Sequence, residues 1–274
     1  MKTWFITGAS SGLGLTMTRK LLERGDRVIA SARRLQPLEV LAAEHGERLM
    51  LASFDVTDTA AMRREVERVF AAAGRIDVVV SNAGYGLFGA VEEVSDAQID
   101  RQIATNLTAS IQLIRAVIPH LREQGGGRIL QVSSEGGQIA YPNFGLYHAS
   151  KWGIEGFVET AAQEVAPFGI SMTLIEPGPT ATAFAEGLDR APENPVYDAT
   201  PAGAVRQALA AGAFAIRGDA DRTVDAMIAA GDAAEPALRV ALGSTAYEHI
   251  EAALEGRLAE LRAQRDVAYS ADAD

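Results

Sequence analysis

The chain has no cysteine among its 274 residues, which excludes disulfides, thiolate metal ligands and a cysteine nucleophile while leaving the redox compartment open. Positive charge is also scarce. Against 36 acidic side chains there are 25 Lys and Arg, a formal charge of −11. Neither nucleic acid nor an anionic membrane surface is therefore expected as a general partner, and any basic site has to be local. No apolar run approaches the roughly 20 residues of a membrane span. The opening Met1-Lys2-Thr3-Trp4-Phe5-Ile6-Thr7 runs straight into a glycine motif with no room for a signal peptide, so a cytoplasmic location is the default expectation. There is no internal repeat, and the alanine-rich, polar tail is the one low-complexity stretch.

What is there suffices for a large core. Hydrophobic residues make up 48% of the chain, and one domain over residues 1–274 is expected. Short β-rich runs at Trp4–Thr7, Arg27–Ser31, Arg48–Phe54, Asp77–Ser81, Arg128–Val132 and Ile170–Ile175, with a seventh plausible at Leu238–Leu242, alternate with helical stretches. That alternation predicts βαβ units building a parallel sheet, an α/β fold. A helix near Ser95–Arg122 has a capping box, Ser95 with Gln98, and an apolar stripe Ile99, Ile103, Leu107, Ile111, Ile114 and Ile118. The helix after Tyr147 repeats the logic in Ile154, Phe157, Val158, Ala161, Ala162 and Val165. Pro177-Gly178-Pro179 ends the sixth strand, and residues 182 to about 217 lack clean periodicity, a candidate mobile cover over a site from about 184 onward. In the C-terminal region of 245–274, Tyr247–Arg262 carries Ile250, Leu254, Leu258 and Leu261, read as packing, with an oligomer contact as the alternative.

Two motifs carry chemistry. In the first, Gly8, Gly12 and Gly14, with Ser10, Ser11 and Leu13 between them, lie between the first strand and a helix bearing Met17, Leu21 and Leu22. Glycines permit a tight turn and close backbone approach, and the helix N-terminus favours a dinucleotide pyrophosphate. The spacing is Gly-x-x-x-Gly-x-Gly. About 20 residues on, where a 2′-hydroxyl-binding protein places an acid, stand Ala32-Arg33-Arg34, while Asp26 precedes the second strand. Guanidinium groups match a phosphate by charge and fork geometry, so NADP(H) is expected over NAD(H), with Arg33 ahead of Arg34 as ligand.

In the second motif, Tyr147 and Lys151 stand four residues apart with Ser134 thirteen upstream. If a helix starts there, phenol and ammonium lie on one face, one turn apart. A tyrosine of pKa ~10 is a poor base near neutrality. A nearby ammonium and the positive nicotinamide ring are expected to lower that value and make proton transfer feasible. Ser134 can hold the substrate oxygen against the phenol. His148 is assigned no role, because adjacent helical residues do not share a face, and Ser133 is read as support for the strand end.

Together Thr7-Gly8-Ala9-Ser10-Ser11-Gly12-Leu13-Gly14, Asp55-Val56, Asn82-Ala83-Gly84, Asn106, Ser134, Tyr147-His148-Ala149-Ser150-Lys151, Pro177-Gly178 and Thr182 resemble the short-chain dehydrogenase/reductase family, strongly over Lys2–Thr182. The resemblance implies a Rossmann-like, doubly wound fold: seven mainly parallel strands with helices on both faces, in three layers. It also implies Tyr147 as general acid/base, Ser134 orienting the carbonyl, and Lys151 on the nicotinamide ribose. Asn106 would hold a water linking Lys151 to solvent. Asp55, with Val56 beside it, would lie near the adenine, Asn82-Ala83-Gly84 would line the cofactor cleft, and Thr182 with Pro177-Gly178 would contact the carboxamide. The sequence departs from the family at Ser81, a frequent asparagine, and at Glu135, where a small or apolar residue is common. Glu135 is read as water-facing, the alternative being a pairing with a donor on the substrate.

The expected function is NADP(H)-dependent interconversion of a secondary alcohol and a ketone or aldehyde, on a partly apolar small molecule such as carbonyl reductases or hydroxysteroid dehydrogenases handle. No metal is invoked. Tyr85, Leu87, Phe88, Tyr141, Phe144 and Phe184 are candidate apolar walls, loop packing being the alternative. A nucleotide-sugar epimerase or dehydratase, and a non-catalytic NADP(H)-sensing module, are the rival readings. Family likeness suggests a homo-dimer or tetramer.

Overall fold

The computed structural model describes residues 1–213 and 216–273; Phe214 and Ala215 of the expected cover segment, and Asp274 of the tail, lie outside the described residues. Strands β1 (Thr3–Thr7), β2 (Arg27–Ala32), β3 (Leu49–Ser53), β4 (Val78–Ser81), β5 (Gly127–Val132), β6 (Ile170–Pro177) and β7 (Arg239–Leu242) form one sheet. It is ordered β3-β2-β1-β4-β5-β6-β7, and every pair is parallel. This is the Rossmann-like α/β architecture. Chain direction across the sheet reverses between β1 and β4, so a crevice opens at their carboxyl ends.

Burial on both faces explains the apolar runs. All five residues of β1 and all four of β4 are buried. Side chains alternate across the sheet: Phe5 and Val79 join one core, whereas Trp4, Ile6, Val78 and Val80 join the other. The first core lies under α3 (Thr59–Ala73), α5 (Ala109–Glu123) and α6 (Gly145–Val165). The second lies under α1 (Gly12–Glu23), α2 (Gln36–His45) and α8 (Ala220–Asp232). No helix among the described residues is long and apolar enough to cross a membrane.

Three expectations need correction. The long helix from Ser95 is two, α4 (Asp96–Ile103) and α5, joined by a π turn at Ala104–Thr108. The wider turn takes in an extra residue and rotates the helix. The fully buried face carries Gln98, Gln102, Asn106, Ser110, Leu113, Ile114, Val117 and Leu121, and the expected stripe, Ile114 apart, is half-buried.

The expected cover is built rather than irregular. Asp189–Arg190 pairs with Leu87–Phe88 as a small parallel sheet, and α7 (Pro201–Ala210) is capped by Thr200. Arg206 of α7 is ion-paired with Glu93, both side chains buried. Short elements of this kind leave no periodic signal. In the last helix, α9 (Ser244–Ala263), packing holds for Ile250 alone, since Leu254, Leu258 and Leu261 are 48%, 45% and 63% exposed. α9 rests on β7 and on the turn after Ser134, and Arg257 reaches from it to the Gln138 carbonyl and over the Trp152 ring.

α6 is fixed by a buried ionic network. Ser133 donates to Glu155 at 2.6 Å, Arg239 of β7 donates to Glu155 and, at 2.7 Å, to Glu176, and Gln138 donates to Glu176 at 2.8 Å. Burial pushes the Glu155 carboxyl up, and Glu176 adds to this, while Ser133 and Arg239 pull it down. Arg239→Met strands two buried carboxylates and is expected to cost about 3–5 kcal/mol, read by urea unfolding. Glu155 binds its proton more tightly folded than unfolded, so the loss should be largest at neutral pH and shrink on acidification. A loss that grows on acidification contradicts the network.

Candidate active site

The glycine turn is shaped by what surrounds it. A Cβ on Gly14 would come within 2.4 Å of the Gly8 carbonyl oxygen, and one on Gly8, at φ +66°, within 2.9 Å of Ala83 Cα. Gly12, at φ +52°, differs: its Cβ would meet nothing nearer than Thr182 Cβ at 4.0 Å. Gly8 and Gly14 thus serve backbone packing, and Gly12 faces open space. Ser11 precedes α1 in extended conformation and makes no side-chain cap bond, leaving the first backbone N–H groups of the helix for a ligand.

Asn82 locks this turn to β4. Its Nδ2 donates to the Thr7 carbonyl at 2.9 Å and the Gly8 carbonyl at 3.3 Å, while the backbone N–H groups of Asn82 and Ala83 donate to Thr7 Oγ1 at 3.0 and 3.2 Å. Across the crevice, Arg33 and Arg34 are exposed beyond β2. Arg33 pairs loosely with Asp55 at 3.8 Å. Burial tends to push the Asp55 carboxyl up, but hydrogen bonds from Thr57 and the Arg33 charge outweigh it and hold the group below its ordinary range.

At the end of β5, Lys151 Nζ donates to the Val132 carbonyl at 3.0 Å and lies 5.6 Å from the Tyr147 ring centre. Ser134 lines the cavity together with Tyr147 and pulls the phenol's pKa down, and its Oγ accepts from Gly136 N at 3.1 Å. Phenol, hydroxyl and ammonium therefore meet. Their protonation differs from the sequence expectation. Burial pushes Tyr147 up to about 12, with Ser134 pulling down and Glu135 pushing up. Burial draws Lys151 down to about 8 against the pull of Glu155.

Asn106 sits in the π turn, behind the wall rather than in it. Its Nδ2 donates to the Tyr85 carbonyl at 2.7 Å and its Oδ1 accepts from Tyr85 N at 3.1 Å. The side-chain amide is thus spent on holding Gly84-Tyr85 in place, and Ala104 and Thr105 face the cavity instead.

One cavity of about 1420 Å³ joins these parts. It is lined by Gly8, Ser10, Ser11, Gly12 and Leu13, by Arg33, Arg34, Asp55 and Val56, and by Asn82-Ala83-Gly84. Ser134, Tyr147, Lys151, Pro177, Gly178 and Thr182 complete that wall. Tyr85, Phe88, Tyr141, Phe144 and Phe184 supply apolar walls, as expected. Leu87 does not. Next to Phe88 on a short strand, it points the other way and is buried against Val94 and Ala191.

Two side chains near the site depart from the sequence expectation. Glu135, expected in water, is buried, lines the cavity and faces His249 Nδ1 of α9 at 3.2 Å. Burial pushes its carboxyl up despite His249. His148 is buried, with Nδ1 2.9 Å from the Gly136 carbonyl and Nε2 accepting from Tyr141 N at 3.3 Å. Burial pulls its pKa down, so a neutral imidazole with the proton on Nδ1 ties the Ser134 turn to the Tyr141 loop. Nothing in a single sequence marks these long-range pairs.

A sequence profile described as short chain dehydrogenase matches residues 2–193. Oxidoreductase BOA17 of Botryotinia fuckeliana is 38% identical over 256 residues, 93% of either chain. A short-chain dehydrogenase from Streptomyces avermitilis superposes with a TM-score of 0.91 at 35% identity, covering 99% of this chain and 100% of that one. A Burkholderia cenocepacia short chain dehydrogenase, solved in complex with NADP, superposes with a TM-score of 0.75 at 25% identity, covering 96% and 98%.

Asn82→Ala removes the two side-chain bonds that help hold the glycine turn to β4. It is expected to weaken binding of the reduced nicotinamide cofactor, read by fluorescence titration, by roughly tenfold, and to lower stability by about 1–2 kcal/mol. Unchanged affinity would separate the turn from cofactor binding.

Proposed function

The chain belongs to the short-chain dehydrogenase/reductase family, and from that premise we propose that it is an NADP(H)-dependent carbonyl reductase or secondary-alcohol dehydrogenase. Membership brings nicotinamide binding and oxidoreductase chemistry on CH–OH groups. The carrying observation is the meeting of Ser134, Tyr147 and Lys151 in the same cavity as the Gly8–Gly14 turn.

A nicotinamide dinucleotide fits that cavity: the face of Gly12 is open, the start of α1 is uncapped, and two arginines stand on the rim. Bound there, it supplies or accepts the hydride. Ser10, Ser11, Gly12 and Leu13 hold the pyrophosphate, and Asp55 and Val56 flank the adenine. Arg33, with Arg34, favours a 2′-phosphate over a 2′-hydroxyl. Pro177, Gly178 and Thr182 take the carboxamide, and Lys151 takes the ribose.

Ser134 hydrogen-bonds the substrate oxygen, and Tyr147 passes a proton to or from it. A phenol held protonated at neutral pH is a donor, which favours carbonyl reduction. Lys151, cationic below about pH 8, stabilises phenolate left behind. Asn106 acts by positioning Tyr85, and a relay water would have to use its backbone. The aromatic walls suit a partly apolar substrate. We read the protein as a single-domain cytoplasmic homo-oligomer, the exposed leucines of α9 offering apolar surface for a second copy.

Tyr147→Phe is expected to lower NADPH-dependent ketone reduction by about 10²- to 10⁴-fold with NADPH affinity near wild type; retained turnover contradicts the assignment. Arg33→Ala should weaken NADPH by roughly tenfold or more and leave NADH nearly unaffected, whereas equal losses would remove the phosphate role. The kcat/KM of reduction should fall as pH rises through about 8, where Lys151 loses its charge. A profile flat across that range contradicts its part.

A further inference from the structure

Among the described residues five carboxyl side chains are buried: Asp26, Glu93, Glu135, Glu155 and Glu176. Four are compensated by arginine, Asp26 by Arg24, Glu93 by Arg206, and Glu155 and Glu176 by Arg239. Among the described residues Glu135 has only His249, whose side chain is half-exposed. A buried charge needs pairing and hydrogen bonds, or burial is a net cost. Glu135 also works against the chemistry next door, since its charge pushes the Tyr147 phenol up and makes phenolate harder to form. Neither fold nor proton transfer accounts for this carboxyl.

Its placement does. Glu135 follows Ser134 directly and lines the same cavity as Tyr141, Phe144, Phe184 and Leu188. Among the described lining residues it is the one buried acid, with Asp55 half-buried and Asp100 and Glu248 exposed. The turn that follows it is closely packed. A Cβ on Gly137 would fall 1.7 Å from Glu155 Oε1, and His148 holds the Gly136 carbonyl from the other side. His249 engages Oε2, so Oε1 is the atom left to take a further donor.

Resting on the reductase reading above, we propose that Glu135 is the specificity-determining acceptor of this site, taking a hydrogen bond from a hydroxyl that the ketone carries apart from its reacting oxygen. The substrate class is thus a hydroxylated, otherwise apolar ketone. A hydroxyl suits the place better than an ammonium. It brings no charge between aromatic walls. A site built to accept from a hydroxyl also rejects the analogue lacking it, because its own acceptor is then left buried and unpaired.

The test is a ladder of aliphatic ketones and matched hydroxy-ketones, the hydroxyl moved one carbon at a time from the carbonyl, followed by NADPH oxidation. In the wild type at least one hydroxy-ketone should exceed its deoxy partner in kcat/KM by about tenfold or more, mainly through KM. Glu135→Leu should bring that ratio close to one, and Glu135→Gln, which keeps an acceptor oxygen, should retain part of it. If Glu135→Leu does not fold, the wild-type ratio and its partial loss in Glu135→Gln decide. Ketones reduced with no hydroxyl preference, a preference that survives Glu135→Leu, or a larger preference for amino-ketones would each overturn the inference while the reductase reading stands. Failure to reduce any ketone would remove that reading and this inference with it.

Discussion

The bond from Lys151 Nζ to the Val132 carbonyl, 3.0 Å long and buried, is the constraint on which the rest of the site depends. It ties the first turns of α6 to the last residue of β5. Tyr147, one turn earlier on the same helix face, is thereby held beside Ser134, two residues past that carbonyl. Below, the Ser133–Glu155–Arg239–Glu176 network fixes α6 against β6 and β7. Ahead, Asn82 and Thr7 tie β4 to β1, so the glycine turn faces the same crevice. A parallel sheet with its reversal between β1 and β4 brings both halves to one edge.

Burial sets the electrostatics more than any single neighbour does. It raises the phenol and lowers the ammonium, favouring the neutral form of each. A protonated phenol beside a serine hydroxyl can act as a proton donor. Glu155, a turn beyond Lys151, pulls the ammonium partly back towards its charged form. Glu135 pulls the other way on the phenol and is best understood as serving the substrate.

Much of this was legible in the sequence because the elements concerned are local. Buried parallel strands read as apolar runs, so all seven were located to within a residue or two, and the glycine turn and Tyr-x-x-x-Lys pair are short motifs whose spacing carries their geometry. What escaped depends on distance. The π turn at Ala104–Thr108 has no propensity signal, yet it turns Asn106 inward and sets Ile99, Ile103, Leu107, Ile111 and Ile118 to one side. Glu135 looked solvated because its partner, His249, lies 114 residues away. His148 looked idle because its bonds run to a neighbouring turn and loop rather than along its helix. Leu87 and the α9 leucines show the converse: apolar character says that a side chain avoids water, not which wall or partner it meets.

These groups are proposed to serve hydride transfer between a nicotinamide and a carbonyl carbon. The most direct measurement is isotopic. With NADPH deuterated at both C4 positions and a reducible ketone, mass spectrometry of the alcohol should show a single deuterium on the carbinol carbon and none on oxygen after exchange with water. An alcohol formed without deuterium on that carbon would contradict the account.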